Sequence, residues 1–210
     1  MPHQKEERAL QRAGHAWVAG VDEAGRGAWA GPVVAAAVIL PASRAAVAKL
    51  KDANDSKQLT ALQRGRLRER IQTYALAWAV GCASCCEIDA MGIVSATRLA
   101  MMRAVVALTI APHALLIDAV KLPEVALPQR VFNFADSISL SVACASILAK
   151  TSRDAMMCRL ADTLAGYGFA MHKGYGTHAH ARALKILGSS WAHRHSFRPV
   201  KAHKRYIEHA

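Results

Sequence analysis

The chain lacks any uninterrupted run of about 18 strongly apolar residues, the length that a membrane-spanning helix requires. The longest apolar candidate, residues 29–40, is too short and contains Pro32. Residues 1–12 are charged and no apolar segment follows them, which argues against a secretory signal peptide. We therefore expect a protein that does not associate with membranes and acts in the cytoplasm.

Cysteine is scarce and irregularly spaced. The chain has five cysteines, which are Cys82, Cys85, Cys86, Cys144 and Cys158. An odd number without regular spacing is not typical of a disulfide framework. Cys82 and Cys85 form a C-x-x-C, but no second pair of cysteines or histidines follows at zinc-ligand spacing. We expect buried free thiols.

Acidic residues are few, because 15 acids stand against 27 lysines and arginines and the formal net charge is +12. The imbalance is greatest after residue 163, where eight basic residues face a single acid, Glu208. Seven of the ten histidines also lie there. Such a local excess of positive charge is typical of a surface that binds the phosphates of a nucleic acid. The alternative is a basic tail that serves only solubility.

No internal repeat or low-complexity linker interrupts the 210 residues, which favours one compact domain. The apolar patterning predicts strands at 16–22, 32–40, 75–83 and 113–118, the first two joined as an antiparallel hairpin. Helices are predicted at 60–74, 93–108, 139–164 and 178–187. Strands that come first in succession and then alternate with helices indicate an α/β fold with a mixed sheet flanked by helices.

Paired acids followed by a glycine-rich turn end the first predicted strand. Asp22 and Glu23 suit a divalent metal ion, since hard cations prefer carboxylate oxygens. The following Gly25, Arg26 and Gly27 let backbone N–H groups approach a phosphate or a sugar closely. Because successive strand residues point to opposite faces, we expect both acids to reach one site only if the strand breaks at Glu23. Metal-binding acids beside exposed backbone indicate phosphodiester chemistry.

Two further acids are candidates for the same site. Asp118 ends an apolar strand as Asp22 does, and Asp136 lies just before the long helix, where the helix dipole favours its charged form. Asp154 competes with Asp136 for the fourth position. In a continuous helix the two would be roughly 27 Å apart, so we expect Asp154 to pair locally with Lys150 or Arg153 instead.

Several short segments together resemble the type 2 ribonucleases H, the ribonuclease HII family, from about residue 19 to residue 200. Their order and spacing are specific to that family, although each is short. The segments are Asp22-Glu23-Ala24-Gly25-Arg26-Gly27 with Ala30-Gly31-Pro32-Val33-Val34, Asp55-Ser56-Lys57, Leu116-Ile117-Asp118, Ala145-Ser146-Ile147-Leu148-Ala149-Lys150 with Arg153-Asp154, His172-Lys173-Gly174-Tyr175-Gly176-Thr177, His195-Ser196-Phe197, and Pro199-Val200.

The resemblance implies an RNase H-like fold and metal-dependent hydrolysis of RNA within RNA/DNA hybrids. It also implies cleavage on the 5′ side of single ribonucleotides embedded in duplex DNA, leaving a 3′-hydroxyl and a 5′-phosphate. The family's four metal-binding acids correspond to Asp22, Glu23, Asp118 and Asp136, which would bind two Mg²⁺ or Mn²⁺ ions. Residues 1–15 are then an N-terminal extension, 16–164 the catalytic domain, and 165–210 a basic helical segment that helps to bind substrate. A monomer is the default expectation.

The predicted substrate-binding residues are Gly25, Arg26, Gly27, Ser56, Lys57, Lys173 and Tyr175. In relatives the glycine-arginine-glycine element reads the ribose 2′-hydroxyl, and the tyrosine stacks on the sugar beyond the RNA–DNA junction. The positions of Ser56 and Lys57 contact phosphates in relatives. Four basic residues are either phosphate contacts or solvated surface, and these are His172, Lys173, Arg194 and His195.

Two departures and two rival hypotheses accompany the resemblance. Ala119 stands where many relatives have glycine, and Phe134 with Ala135 precedes Asp136 where glycine is more usual.

One rival is a type 3 ribonuclease H, which usually has an extra N-terminal domain and a glutamate as its fourth acid. The other is a non-catalytic basic module that binds nucleic acid, which would not explain acids at the ends of elements.

Overall fold

A computed structural model of the protein describes residues 2–54 and 56–203, with only the backbone described at Ala46 and Lys57. Asp55 of the quoted motif and the last seven residues of the predicted basic segment therefore lie outside the described residues. The strands are β1 (Val18–Ala24), β2 (Val33–Ile39), β3 (Ala77–Ala83), β4 (Ala114–Asp118) and β5 (Gln129–Phe132). The helices are α1 (Lys5–Arg12), α2 (Arg44–Ala48), α3 (Ala61–Tyr74), α4 (Cys85–Met91), α5 (Ile93–Val106), α6 (Ala135–Ile138), α7 (Leu140–Thr163), α8 (Phe169–His172), α9 (His178–Leu187) and α10 (Arg198–Lys201).

The described strands form one mixed sheet in the order β3-β2-β1-β4-β5. Strands β1, β2 and β3 pair antiparallel, whereas β4 lies parallel to β1, and β5 lies parallel to β4. The expected hairpin and mixed α/β sheet are therefore confirmed. The strand β5 was not predicted.

Helices cover both faces of the sheet. Helix α7 packs on the face that carries Ala36 and Val38 of β2, and α5 packs on the face that carries Val33 and Ala35. The contact with α7 is close because a β-carbon at Gly20 of β1 would overlap with the backbone of Ser141. The absence of a side chain at Gly20 thus lets α7 lie directly on the central strand β1.

The C-terminal part of the chain packs against the far end of α7 and forms its own apolar cluster. The cluster contains Ala30, Met157, Tyr167, Phe169, Ala183, Leu184, Ala192 and Val200. It includes one residue that follows β1, one from α7, and several from the segment after residue 164. The C-terminal segment is therefore packed onto the same body as the sheet.

Most expected helices and strands are present with shifts of one or two residues at their ends. Helix α3 begins with the expected capping box, in which Thr60 accepts from the Gln63 N–H while the Gln63 side chain accepts from the Thr60 N–H. Helix α9 has the predicted limits and ends at Gly188. A separate short helix, α6, precedes the long helix α7. Helix α6 ends at Ile138, and Ser139 caps the N-terminus of α7.

Two observations bear on the expectations from composition. The five cysteines are free, but Cys82, Cys86 and Cys158 are exposed, so the expectation of buried thiols holds only for Cys85 and Cys144. Within residues 2–54 and 56–203, no helix is both long and apolar enough to cross a bilayer.

Candidate active site

Two of the predicted acids lie side by side at the ends of adjacent parallel strands. Val21 of β1 is in register with Ile117 of β4, so the next residues along both strands are Asp22 and Asp118. Asp22 is buried, with 5% of its surface exposed, and its Oδ1 accepts a hydrogen bond from the Glu23 N–H at 2.7 Å. The β1–β4 pairing thus positions two carboxylates at one edge of the sheet.

Glu23 reaches the same edge without the strand break that we expected. The pairing of β1 with β2 continues through Glu23 and Ala24, so the side chains of Asp22 and Glu23 leave opposite faces of the strand. The two side chains are nevertheless close enough for the charge of Glu23 to raise the pKa of Asp22. The strand ends one residue later, and the longer glutamate side chain can reach around that end. The prediction that the two acids could approach each other only if the strand broke at Glu23 was wrong, and the turn begins at Gly25, which has a φ of 96°.

Asp136 is placed next to Asp118 by a backbone contact. Asp118 Oδ1 accepts a hydrogen bond from the Ala135 N–H at 2.8 Å, and Asp136 is the following residue in the first turn of α6. Asp136 is buried, with 6% of its surface exposed. Asp154, the competing candidate, instead accepts from Lys150 Nζ at 2.8 Å, as expected for a local pair.

The acids strongly influence one another. Burial, followed by the charges of Glu23 and Asp118, raises the pKa of Asp22 well above its ordinary value. Burial also raises the pKa of Glu23, while the Arg26 guanidinium, with Nη1 3.3 Å from Glu23 Oε1, opposes that rise. Negative charge gathered in a buried place is unfavourable by itself and becomes favourable when a cation is bound.

The donor set fits a divalent cation. It offers carboxylate oxygens, and one of them, Glu23 Oε2, is buried without a hydrogen-bond partner among the described residues. Across those same residues, no three His, Cys, Asp or Glu side chains already stand in metal-holding geometry. Binding an ion would therefore require the carboxylates to turn toward one another.

A cleft of about 380 Å³ opens beside these acids. It is lined by Glu23, Ala24, Gly25, Arg26, Gly27, Ser56, Ser146, Lys150 and Tyr175. Five of the predicted substrate-binding residues, Gly25, Arg26, Gly27, Ser56 and Tyr175, thus share one surface with Glu23. The Lys57 side chain lies outside the described part of the chain.

Sequence reasoning missed two residues of this cleft and misplaced others. Ser146 donates to Ser56 Oγ at 3.0 Å, and Lys150 Nζ lies 5.5 Å from the centre of the Tyr175 ring. Both belong to the quoted Ala145–Lys150 motif, which could have indicated them. Lys173 Nζ instead donates within its own segment, to the Ala170 carbonyl.

Arg194 is neither a phosphate contact nor solvated surface, because its exposure is 0%. The charge pattern alone suggested a surface role, and that interpretation was wrong. His172 is half-buried, stacks on His180 with ring centres 4.5 Å apart, and hydrogen-bonds to the Tyr167 carbonyl. Part of the basic C-terminal segment is therefore interior.

The two departures from the family pattern coincide with unusual backbone conformations beside the acids. Ala119, directly after Asp118, has a φ of 54°, and Phe134, two residues before Asp136, has a φ of 60°. This left-handed region favours glycine. Because neither residue is glycine, the backbone is strained at both positions. Phe134 is 77% exposed.

Comparison with known proteins identifies the family. A model of the ribonuclease HII family matches residues 19–200. The chain belongs to the ribonuclease HII family. A ribonuclease HII from Chloroflexus aurantiacus is 53% identical over 201 residues, which is 95% of each chain. The ribonuclease H2 structure from Pyrococcus horikoshii superimposes with a TM-score of 0.74 at 25% identity, covering 89% of this chain and 96% of that one.

Family membership confirms the RNase H-like α/β fold. It also confirms that the protein has type 2 ribonuclease H activity, which is endonucleolytic hydrolysis of RNA. Both rival hypotheses are thereby set aside. The structure of Bst-RNase HIII in complex with Mn²⁺ has a TM-score of 0.69 at 24% identity, covering 95% of this chain and 72% of that one, and this likeness shows the fold alone. Members of the ribonuclease HII family depend on divalent metal ions and act on RNA/DNA hybrids.

Proposed function

We propose that this ribonuclease HII cuts on the 5′ side of single ribonucleotides embedded in duplex DNA, as well as within the RNA strand of hybrids. The supporting observation is that Asp22, Glu23 and Asp118 converge at one sheet edge, with Asp136 beside Asp118, next to a cleft formed by Gly25–Gly27 and Tyr175. An acid cluster for chemistry and a backbone surface for recognition then meet at the substrate. Such an activity suits the removal of ribonucleotides from DNA.

Asp22, Glu23, Asp118 and Asp136 would hold the divalent ions, for which we propose Mg²⁺ or Mn²⁺. When bound, two such ions supply an activated water and charge stabilisation at the leaving 3′-oxygen. The negative charge of the four carboxylates would otherwise repel the substrate phosphate. The metal dependence should therefore appear in productive binding as well as in chemistry. The Mn²⁺ bound by Bst-RNase HIII is in keeping with this choice of ions.

Recognition of the ribose falls to the backbone of Gly25, Arg26 and Gly27 and to Tyr175. The 2′-hydroxyl distinguishes RNA from DNA, and groups buried against it are left unpaired when a deoxyribose takes its place. The Tyr175 ring can pack on the neighbouring deoxyribose, which lacks that hydroxyl. Ser56, Lys57 and Lys150 supply phosphate contacts that do not depend on sequence, and Lys173 is a further, more peripheral candidate.

The test is incubation of duplex DNA that contains one ribonucleotide with the protein and Mg²⁺, followed by mapping of the cut ends. We expect a single cut 5′ to the ribonucleotide, leaving a 3′-hydroxyl and a 5′-phosphate, and no cut in excess EDTA. Asp136→Asn should lower turnover at least about a thousandfold, since it removes a charged metal ligand. Asp162→Asn, at an aspartate near the end of α7 and far along the helix from the acids, is the matched control and should cut normally.

Two results would contradict the proposal. Near-normal turnover of Asp136→Asn would exclude a ligand role for that residue. Cleavage confined to long hybrids, with the single ribonucleotide untouched, would exclude the proposed substrate while leaving the ribonuclease activity in place.

A further inference from the structure

Arg194 is wholly buried and binds the backbone of the proposed sugar-reading turn. Its Nη2 donates to the Gly25 carbonyl at 2.7 Å and its Nη1 to the Arg26 carbonyl at 2.8 Å. Its Nε donates to the Gly31 carbonyl at 3.0 Å. All three nitrogens of one guanidinium are thus used on main-chain oxygens of residues 25–31.

Arg153 of α7 also binds main-chain carbonyls, including one in the segment that carries Tyr175. It is also 0% exposed, and its nitrogens donate to the carbonyls of Ala30, Pro32 and Lys173 at 2.9–3.1 Å. Its guanidinium carbon lies 5.2 Å from the centre of the Tyr175 ring. The ring proposed to stack on the sugar therefore rests on a buried cation.

The two arginines are joined through residues 30–32. Arg153 binds the carbonyls of Ala30 and Pro32, and Arg194 binds that of Gly31 between them. The same stretch meets the tyrosine segment directly, because the Trp29 N–H donates to the Gly174 carbonyl at 2.8 Å. The turn and the tyrosine are thus held in one hydrogen-bonded assembly.

Neither arginine has an ion-pair partner among the described residues, although both are buried. Burial lowers the pKa of Arg194 to about 9, with a further lowering from the charge of Arg153, so the group still carries its charge at neutral pH. Burying two neighbouring cations that contact no carboxylate is costly, and the carbonyls that they bind, together with the more distant charges of Asp154 and Asp89, offset only part of that cost. A residue needed only to fill space would not be charged.

The rigidity of the peptide group explains what these contacts achieve. In a trans peptide the C=O of one residue and the N–H of the next point in opposite directions. Holding the carbonyls of Gly25 and Arg26 against Arg194 therefore points the N–H groups of Arg26 and Gly27 away from it. Neither N–H donates a hydrogen bond to any described residue, and both residues line the cleft. The turn presents two donors already oriented for an incoming oxygen.

We propose that Arg194 and Arg153 are positioning residues for ribonucleotide recognition, with Arg194 orienting the N–H donors of the turn and Arg153 setting the Tyr175 ring against them. This inference rests on the proposed function. Preorganised donors lose no ordering entropy on binding, so the arginines contribute to selectivity for ribose without touching the substrate.

The test compares binding by two proteins that both carry Asp136→Asn, so that no substrate is cut. The probes are a duplex with one ribonucleotide and the all-DNA duplex of the same sequence, with Mg²⁺ present. Arg194→Lys keeps the charge but not the three donors of the guanidinium. We expect it to reduce about tenfold the ratio of the Kd for all-DNA duplex to the Kd for the duplex with one ribonucleotide. Binding of all-DNA duplex should not change. Arg103→Lys is the control, since Arg103 also donates to a carbonyl, that of Cys82, but does not line the cleft.

The outcomes separate the inference from the function on which it rests. If the unaltered protein leaves the duplex with one ribonucleotide uncut, the proposed function fails. If the parent discriminates and Arg194→Lys discriminates equally, the positioning role is wrong. A parallel Arg153→Lys variant should weaken binding of the ribonucleotide duplex in the same way.

A measurement on the unaltered protein covers the case in which the variants do not fold. The ¹⁵N order parameters of the Arg26 and Gly27 amides in the free protein should be about 0.85, the value of rigid backbone. Values below about 0.6 would show a mobile turn and would overturn the proposal.

Discussion

At the scale of single residues, the buried Asp22 carboxylate weakens the metal-free fold. Its pKa is raised by burial and by the charges of Glu23 and Asp118, so the folded state holds the proton more tightly than the unfolded state does. Stability therefore falls as the pH rises from the unfolded pKa to the folded pKa, and the ionised group is unfavourable at pH 7. We expect Asp22→Asn to raise the free energy of unfolding in EDTA at pH 7, measured by urea unfolding, while abolishing cleavage.

The same substitution should remove much of the stabilisation that a metal ion provides. The parent protein should melt at a higher temperature as Mg²⁺ is added, because an ion that binds only the folded state stabilises it. Asp22→Asn should show a smaller rise, and Asp162→Asn should respond as the parent does. A loss of stability in EDTA for Asp22→Asn would contradict this prediction, because it would show that the ionised Asp22 carboxylate stabilises the metal-free fold.

At the scale of the elements, α1 stabilises the N-terminus of α7. Glu7 of α1 is 2% exposed, and its Oε1 accepts from the Ser139 hydroxyl at 2.7 Å and from the Ser141 N–H and hydroxyl at 2.9 and 2.8 Å. A carboxylate at this end of a 24-residue helix also matches the helix dipole. We expect Glu7→Ala to lower the free energy of unfolding by about 2–4 kcal/mol, because it leaves buried donors unpaired.

The neighbouring Glu6 provides the control for that prediction. Glu6 makes an exposed ion pair with Arg130, so Glu6→Ala should cost less than about 1 kcal/mol in the same urea titration. Equal losses for Glu6→Ala and Glu7→Ala would show that α1 contributes general helix packing and no specific cap.

Elements with a strong local signal could be predicted from the sequence, and weak ones could not. The apolar runs of β1, β2 and β4 and the capping box of α3 identify their elements without tertiary information. Strand β5 was missed because it has only four residues, with Arg130 and Val131 exposed, so its pairing with β4 is the main evidence for it. Helix α4 was missed although Ser84 and Glu87 form a capping box, because it has only seven residues and begins two residues after β3 ends.

At the scale of the whole molecule, the acids could be anticipated and their supports could not. Strand ends and a family motif indicate Asp22 and Asp118, since both are local features. Arg153 and Arg194 look like surface charges in the sequence, and only the path of the chain shows that each binds carbonyls more than 100 residues away. Long-range compensation of a buried charge leaves no periodic pattern. The predicted domain limits, the monomeric state and the cytoplasmic location stay predictions.

The packing of the C-terminal segment onto the sheet body should depend on pH through two histidines. His180 and His193 are both 0% exposed, and their Nε2 atoms are 3.1 Å apart. The Ser190 N–H donates to His193 Nδ1, so the His193 proton is on Nε2 and is donated to His180, whose own Nδ1–H is donated to the Tyr175 carbonyl. This chain of bonds accepts only neutral rings. Protonation of His180 would place two N–H groups against each other.

Burial, with smaller contributions from neighbouring histidine charges, lowers the pKa of His180 and of His193 to about 4 each. The charge of His172 acts on His180, and those of His180, His195 and His172 act on His193. The unfolded chain, with histidine pKa values of about 6.5, binds more protons between pH 4 and pH 6.5. The contribution of the two histidines to stability should be full above pH 6.5 and fall below it by at most about 2.7 kcal/mol per pH unit for the pair. Urea unfolding at pH 4.5–7.5 measures the slope. The double variant His180→Gln with His193→Gln should reduce the slope of stability against pH, whereas His178→Gln, at an exposed histidine, should leave it unchanged. An unchanged slope in the double variant would assign the acid sensitivity to other groups.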